Sequence, residues 1–117
     1  MINMPNEITL SRGTTNKFTV IKQRTGVTPN LMGRVALMKA LEADIEIFDL
    51  KPLGSQGQKI SRDIFFGEDM DIYSLAIEYF IKEKGFDGDV KKLVQELVEY
   101  GTHLIPTVKN INDFKEL

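Results

Sequence analysis

The sequence contains no cysteine, no tryptophan and only one histidine among its 117 residues. Without cysteine there can be no disulfide, thiolate metal ligand or thiol nucleophile, a composition that suits a reducing compartment. With His103 alone, no two-histidine metal site can be assembled, and a Ser-His-Asp triad would rest on one imidazole with no serine marked out to join it. No stretch approaches the roughly 18 apolar residues that a membrane helix requires, and residues 1–10 lack a basic segment followed by an apolar one. The chain is therefore expected to be cytoplasmic, neither spanning a membrane nor exported. Glycine loops that cradle phosphate are missing too, since neither G-x-x-x-x-G-K nor G-x-G-x-x-G occurs.

What is present is 42% hydrophobic and 27% charged, the balance of a folded chain. The length suits one domain over residues 1–117, large enough to bury a core. The formal charge of -2 conceals an asymmetry. Residues 1–40 carry Arg12, Lys17, Lys22, Arg24, Arg34 and Lys39 against Glu7 alone, whereas the remainder holds 9 basic and 16 acidic side chains. A basic third in an acidic protein marks where a polyanion could be held.

Hydrophobic periodicity predicts a mainly α fold with short β elements (α+β). Ile8-Thr9-Leu10-Ser11 alternates as a short strand, with Ile8 and Leu10 on one face and Glu7, Thr9 and Ser11 on the other. Arg12 to Thr25 carries Phe18, Ile21 and Thr25 at helical spacing and stops at Gly26. Thr28 is placed to cap a second helix with Pro29 in its first position. That helix is apolar on nearly every side through Leu31, Met32, Val35, Ala36, Leu37, Met38 and Leu41, so self-association is expected to help cover it. Ile45 to Leu50 and Lys59 to Phe66 look extended, separated by the turn-forming residues Pro52, Gly54, Ser55, Gln56 and Gly57, and a hairpin is expected there. A third helix, capped by Asp69 or Asp71, runs through Lys84 with Ile72, Leu75, Ala76 and Tyr79 as its inward stripe. A last helix follows Asp89, buries Val90, Leu93, Val94, Leu97 and Val98, and ends near Ile105, leaving residues 106–117 as a peripheral tail.

Several strings carry a family resemblance. Ile8-Thr-Leu-Ser-Arg12, Ile21-Lys-Gln-Arg-Thr-Gly-Val-Thr-Pro-Asn-Leu31, Arg34-Val-Ala and Ala40-Leu-Glu42 resemble the opening of DndE proteins, with Arg24 to Asn30 the most diagnostic part. Phe65-Phe-Gly-Glu68 and Tyr100-Gly101 extend the likeness to roughly residues 7–105, while Gly13 and the Pro52 to Gln58 loop depart from it. The resemblance implies a ribbon-helix-helix-like N-terminal unit, here residues 7–42, ahead of the hairpin and helices that the residue pattern places over 43–105. It implies a homotetramer that binds duplex DNA with a preference for nicks. It also implies service beside the sulfur-transfer and ATPase subunits of a bacterial DNA phosphorothioation system.

A ribbon-helix-helix protein pairs one strand from each of two subunits and lays the ribbon in the major groove. The outward residues Glu7, Thr9 and Ser11 include no Arg, Lys, Asn or Gln, so base reading looks weak and phosphate binding is favoured. Lys17 and Arg24 share one flank of the first helix, and Lys22 lies on the other flank of its apolar stripe. Arg12 and Arg34 extend the positive surface, while Thr28 and Asn30 stand at a helix start where free N–H groups could meet an anion. Glu68, Asp69 and Asp71 read as helix-capping charge before a Mg2+ site. Asp49-Leu50-Lys51 resembles one arm of a metal-dependent nuclease, but its companion acidic arm is absent. No catalytic residue, metal or cofactor is expected. A ribbon-helix-helix repressor and a protein-protein adaptor acting through the acidic C-terminal half are the alternatives.

Overall fold

The computed structural model describes residues 2–52, 54 and 56–116. Its elements in chain order are β1 (Glu7–Thr9), α1 (Arg12–Thr25), α2 (Pro29–Glu42), β2 (Lys59–Ser61), α3 (Arg62–Phe66), α4 (Met70–Lys84) and α5 (Val90–Leu104). Short 3-10 turns occupy Ile47–Asp49, Gly67–Asp69 and Ile111–Glu116. The mainly α architecture and the strand-helix-helix order at the start match expectation.

Local chemistry explains the helix ends. Ser11 caps α1 by accepting the Thr14 N–H at 3.1 Å, and Gly26 closes it at φ 81°, a conformation that glycine adopts without a Cβ penalty. Thr28 holds the cap position of α2 and Pro29 its first turn, yet the Thr28 side chain makes no capping bond. Asp69 precedes α4 without a side-chain capping bond, so only its charge serves that helix. Asp89 does cap α5, accepting the Lys91 N–H at 3.1 Å.

Helix α2 lies at the centre, and α5 packs most extensively along it. The two approach closely enough that a Cβ on Gly101 would overlap the Ala36 carbonyl oxygen. Gly33, on α2, makes room for the Phe65 ring in the same way. Phe65 in turn meets Phe66 edge-on, with ring centroids 4.8 Å apart. Met32, Ala36, Leu37 and Ala40 of α2 are all buried. Much of the cover that this apolar helix needs thus comes from α1, α3, α4 and α5 of its own chain.

Four expectations give way to long-range packing. The hairpin does not form: β2 pairs antiparallel with β1 in the register Glu7↔Ser61, Ile8↔Ile60, Thr9↔Lys59, while the 45–50 segment curls into a 3-10 turn. Carboxylates favour that curl, because Asp49 Oδ2 accepts the Glu46 N–H and Lys84 Nζ binds both Asp44 and Glu46, at 2.8 and 3.2 Å. Beyond β2 the expected extended run becomes α3. Helix α4 is turned the other way from its predicted stripe. Ser74, Ile77 and Phe80 are buried, whereas Ile72, Leu75 and Tyr79 are 64%, 64% and 67% exposed. The helix carries apolar residues on two faces, and periodicity alone could not say which would meet α2. Finally, the tail is anchored rather than loose at its start: Val108 is buried in the core.

Candidate nucleic-acid interface

The strand placed outward by its alternation is paired along one edge and met at Thr9 on the other. Leu10 N–H donates to the Gln58 carbonyl at 2.9 Å on the β2 side, and Thr9 N–H, facing the other way, donates to Gln95 Oε1 at 2.8 Å. Thr9 itself is only 4% exposed. Ser11 is turned inward as well, its hydroxyl donating to Glu99 Oε2 at 2.7 Å beside the Thr14 hydroxyl, which donates to the same oxygen. Glu99 thereby sets a carboxylate at the positive end of α1, where the helix dipole favours it. Its other oxygen stands 3.5 Å from the exposed His103 Nε2. Gln95 and Glu99 are supports that the sequence did not flag, since nothing local to α5 shows that it passes β1 and the start of α1.

The seven candidate residues fall into two groups. Lys17, Arg24, Arg34 and Asn30 are held by main-chain carbonyls. Lys17 Nζ donates to Thr102 O at 2.9 Å and Ile105 O at 2.5 Å, at the C-terminal end of α5. Partial burial there pushes its pKa below the ordinary lysine value. Arg24 Nη1 reaches Val108 O at 3.1 Å. The expected shared flank of Lys17 and Arg24 is therefore the flank that meets α5 and the segment beyond it. Arg34 gives Nε to Phe65 O and Nη2 to Ile64 O, tying α2 to the end of α3, and Asn30 Nδ2 donates to Ile64 O at 3.3 Å. Arg12 and Lys22 are exposed and have no bonding partner among the described residues, while Thr28 keeps its hydroxyl free of its own helix.

Ion pairing is sparse across the molecule: Lys51, Lys59, Lys92, Lys109 and Lys115 take part in none among the described residues, and residues 1–40 carry this furthest. Among the described residues, none of the six cations of residues 1–40 takes part in an ion pair, whereas Arg62, Lys82, Lys84 and Lys91 all do. A carbonyl accepts a hydrogen bond without cancelling a unit charge, so Lys17, Arg24 and Arg34 remain sources of positive potential even where they are bonded. Helix α1 contains no acidic residue, and its exposed side also presents the amides of Asn16 and Gln23. The missing acids were readable in the sequence, whereas Asn16 and Gln23 carry no charge or motif that marks them there. No cluster of three or more His, Asp or Glu capable of holding a metal occurs among the described residues, and none of their helices is long and apolar enough to cross a membrane.

Comparison with known proteins agrees with this fold. Residues 7–113 match the family model described as DNA sulphur modification protein DndE. Among solved structures, DndE from Escherichia coli B7A, described as involved in DNA phosphorothioation modification, is similar at a TM-score of 0.75 and 21% identity, covering 90% of this chain and 100% of that one. A glycine-to-lysine mutant of DndE involved in DNA phosphorothioation is similar at a TM-score of 0.69 and 21% identity, covering 87% and 98%. No curated protein sequence matches. With the family model spanning nearly the whole folded part of the molecule, the chain belongs to the DndE family of DNA sulphur modification proteins.

Proposed function

We propose that this protein is a non-catalytic, DNA-binding accessory subunit of a DNA phosphorothioation system, holding duplex DNA by its backbone, with nicked duplex preferred. The observation that carries the proposal is the uncompensated charge of residues 1–40, concentrated on an acid-free α1 whose exposed side bears Arg12, Lys22, Arg24, Asn16 and Gln23. Phosphates are the partner suited to such a surface, because cations and amide donors meet them without a fixed base sequence. A homotetramer is part of the proposal, supported by the apolar face that α4 leaves in solvent. The other modification subunits are its expected protein partners.

The experiment is a salt titration of binding to nicked and intact duplex. Affinity should fall steeply between about 50 and 200 mM salt, with a logarithmic slope of about one unit for each phosphate neutralised. The triple variant Arg12→Glu, Lys22→Glu, Arg24→Glu should lose most of that slope. Affinity indifferent to salt, or unchanged in the triple variant, would rule out α1 as the contact surface. Selection from random sequence should return no preferred operator, since β1 pairs with β2 of its own chain and Thr9, one of its outward residues, is buried and bonded to Gln95.

A further inference from the structure

A second polar site lies away from α1, where the N-terminal segment crosses the starts of α4 and α5. A cleft of about 580 Å³ is lined there by Asn3, Asn6, Arg62, Asp71, Ser74 and Lys91, among others. Among the described residues, the buried side-chain polar atoms without a hydrogen-bond partner are Arg62 Nε and Ser74 Oγ, and both residues line this one cleft. Native proteins leave few such groups unsatisfied, so two donors orphaned on a common cavity call for a shared acceptor.

The surrounding charges are mostly spent. Lys91 Nζ stands 3.6 Å from Glu7, and Asp89 Oδ1 accepts the Lys91 N–H. Among the described residues, the Arg62 guanidinium has Asp63, at 4.0 Å and beyond hydrogen-bond reach, and one long bond from Nη1 to Met4 O at 3.4 Å. Ser74 is 3% exposed and its hydroxyl has no partner among the described residues, so a ligand that opens this corner of the cleft meets an unsatisfied donor. The first turns of α4 and α5 contribute the lining residues Met70, Asp71, Val90 and Lys91, with Asp89, which also lines the cleft, already capping α5.

We propose that this cleft binds a small oxyanion of the phosphate monoester class, its oxygens accepting hydrogen bonds from Arg62 and Ser74. Asp71 and the amides of Asn3 and Asn6 provide partners for a hydroxyl-bearing body attached to that anion. The site uses none of the α1 cations and stands or falls separately from duplex binding.

The test is an NMR titration following the Arg62 Nε–H and the Val90 and Lys91 amides. The probes are inorganic phosphate, glycerol phosphate and a short 5′-phosphorylated single strand, each against sodium chloride of equal ionic strength. A saturable shift of these signals with phosphate and not chloride is expected. Tighter binding of glycerol phosphate or of the oligonucleotide then identifies a metabolite or a nucleic-acid end as the source. Ser74→Ala removes a hydroxyl that bonds to nothing in the fold, so it should stay folded while binding phosphate about tenfold more weakly. Arg62→Gln should abolish the shifts at Val90 and Lys91. No saturable shift with any probe, an equal shift with chloride, or unchanged affinity in both variants would overturn the site. The α1 triple variant should titrate as the wild type.

Discussion

Lys17 shows how one residue can be basic, well placed on a helix and still be committed elsewhere. Its ammonium satisfies two carbonyls at the end of α5, so Lys17→Ala should destabilise the fold by about 1–3 kcal/mol in urea unfolding. Its effect on the salt slope of DNA binding should be smaller than that of Lys22→Glu, because Lys22 has no structural duty. Asp113 gives a pH-dependent counterpart. Its Oδ2 accepts the N–H groups of Lys109 and Asn110, at 2.7 and 3.2 Å, and these bonds hold its pKa below the ordinary 3.8. A carboxyl depressed by folding stabilises the fold above pH 3.8 and loses that contribution as pH falls through its lower native value. The Lys109 and Asn110 amide resonances should therefore move with a midpoint below 3.8, and Asp113→Asn should remove the transition.

At the scale of elements, the contact between α2 and α5 is limited by a single missing Cβ. Gly101→Ala forces two helix backbones apart, since the obstructing atom is the Ala36 carbonyl and not a side chain that could swing away. A loss of about 1–3 kcal/mol or more is expected from chemical denaturation. Gly13→Ala meets nothing within 4 Å and sits inside α1, so it should instead stabilise by roughly 0.5–1 kcal/mol. The same contrast marks what the sequence could reveal. Helices α1 and α5 were legible because each has one apolar stripe and clear ends: Phe18 and Ile21 before Gly26, and Leu93 to Val98 before Pro106. Helix α4 was legible as a helix, but its orientation was not, because Ile77 and Phe80 compete with Ile72, Leu75 and Tyr79 for the core. The strand partner was hidden as well, since nothing in Glu7 to Thr9 points to a segment fifty residues away. Among the site residues, charge and helix position were readable, but the carbonyls that hold Lys17, Arg24 and Arg34 belong to other elements.

For the whole molecule, the outer face of α4 bears on assembly. Ile72, Leu75, Ala76 and Tyr79 share with Leu41 and Phe80 a groove of about 550 Å³, and an apolar surface of this kind is a site for a partner. The double variant Leu75→Glu, Tyr79→Glu should keep the helical circular dichroism spectrum yet reduce the mass seen by light scattering from an oligomer to a monomer. An unchanged mass would move the interface elsewhere. The pairing of β1 with β2 has a further consequence, for the order in which the chain can acquire structure during synthesis. When α1 and α2 have left the ribosome, β1 still lacks its neighbouring strand, and Lys17, Arg34 and the cap residue Ser11 lack the acceptors that later residues supply. Residues 64 and 65 then satisfy Arg34, but Ser11 and Lys17 wait until α5 has been made, and a nascent chain stalled before that helix should be digested by protease readily around the start of α1.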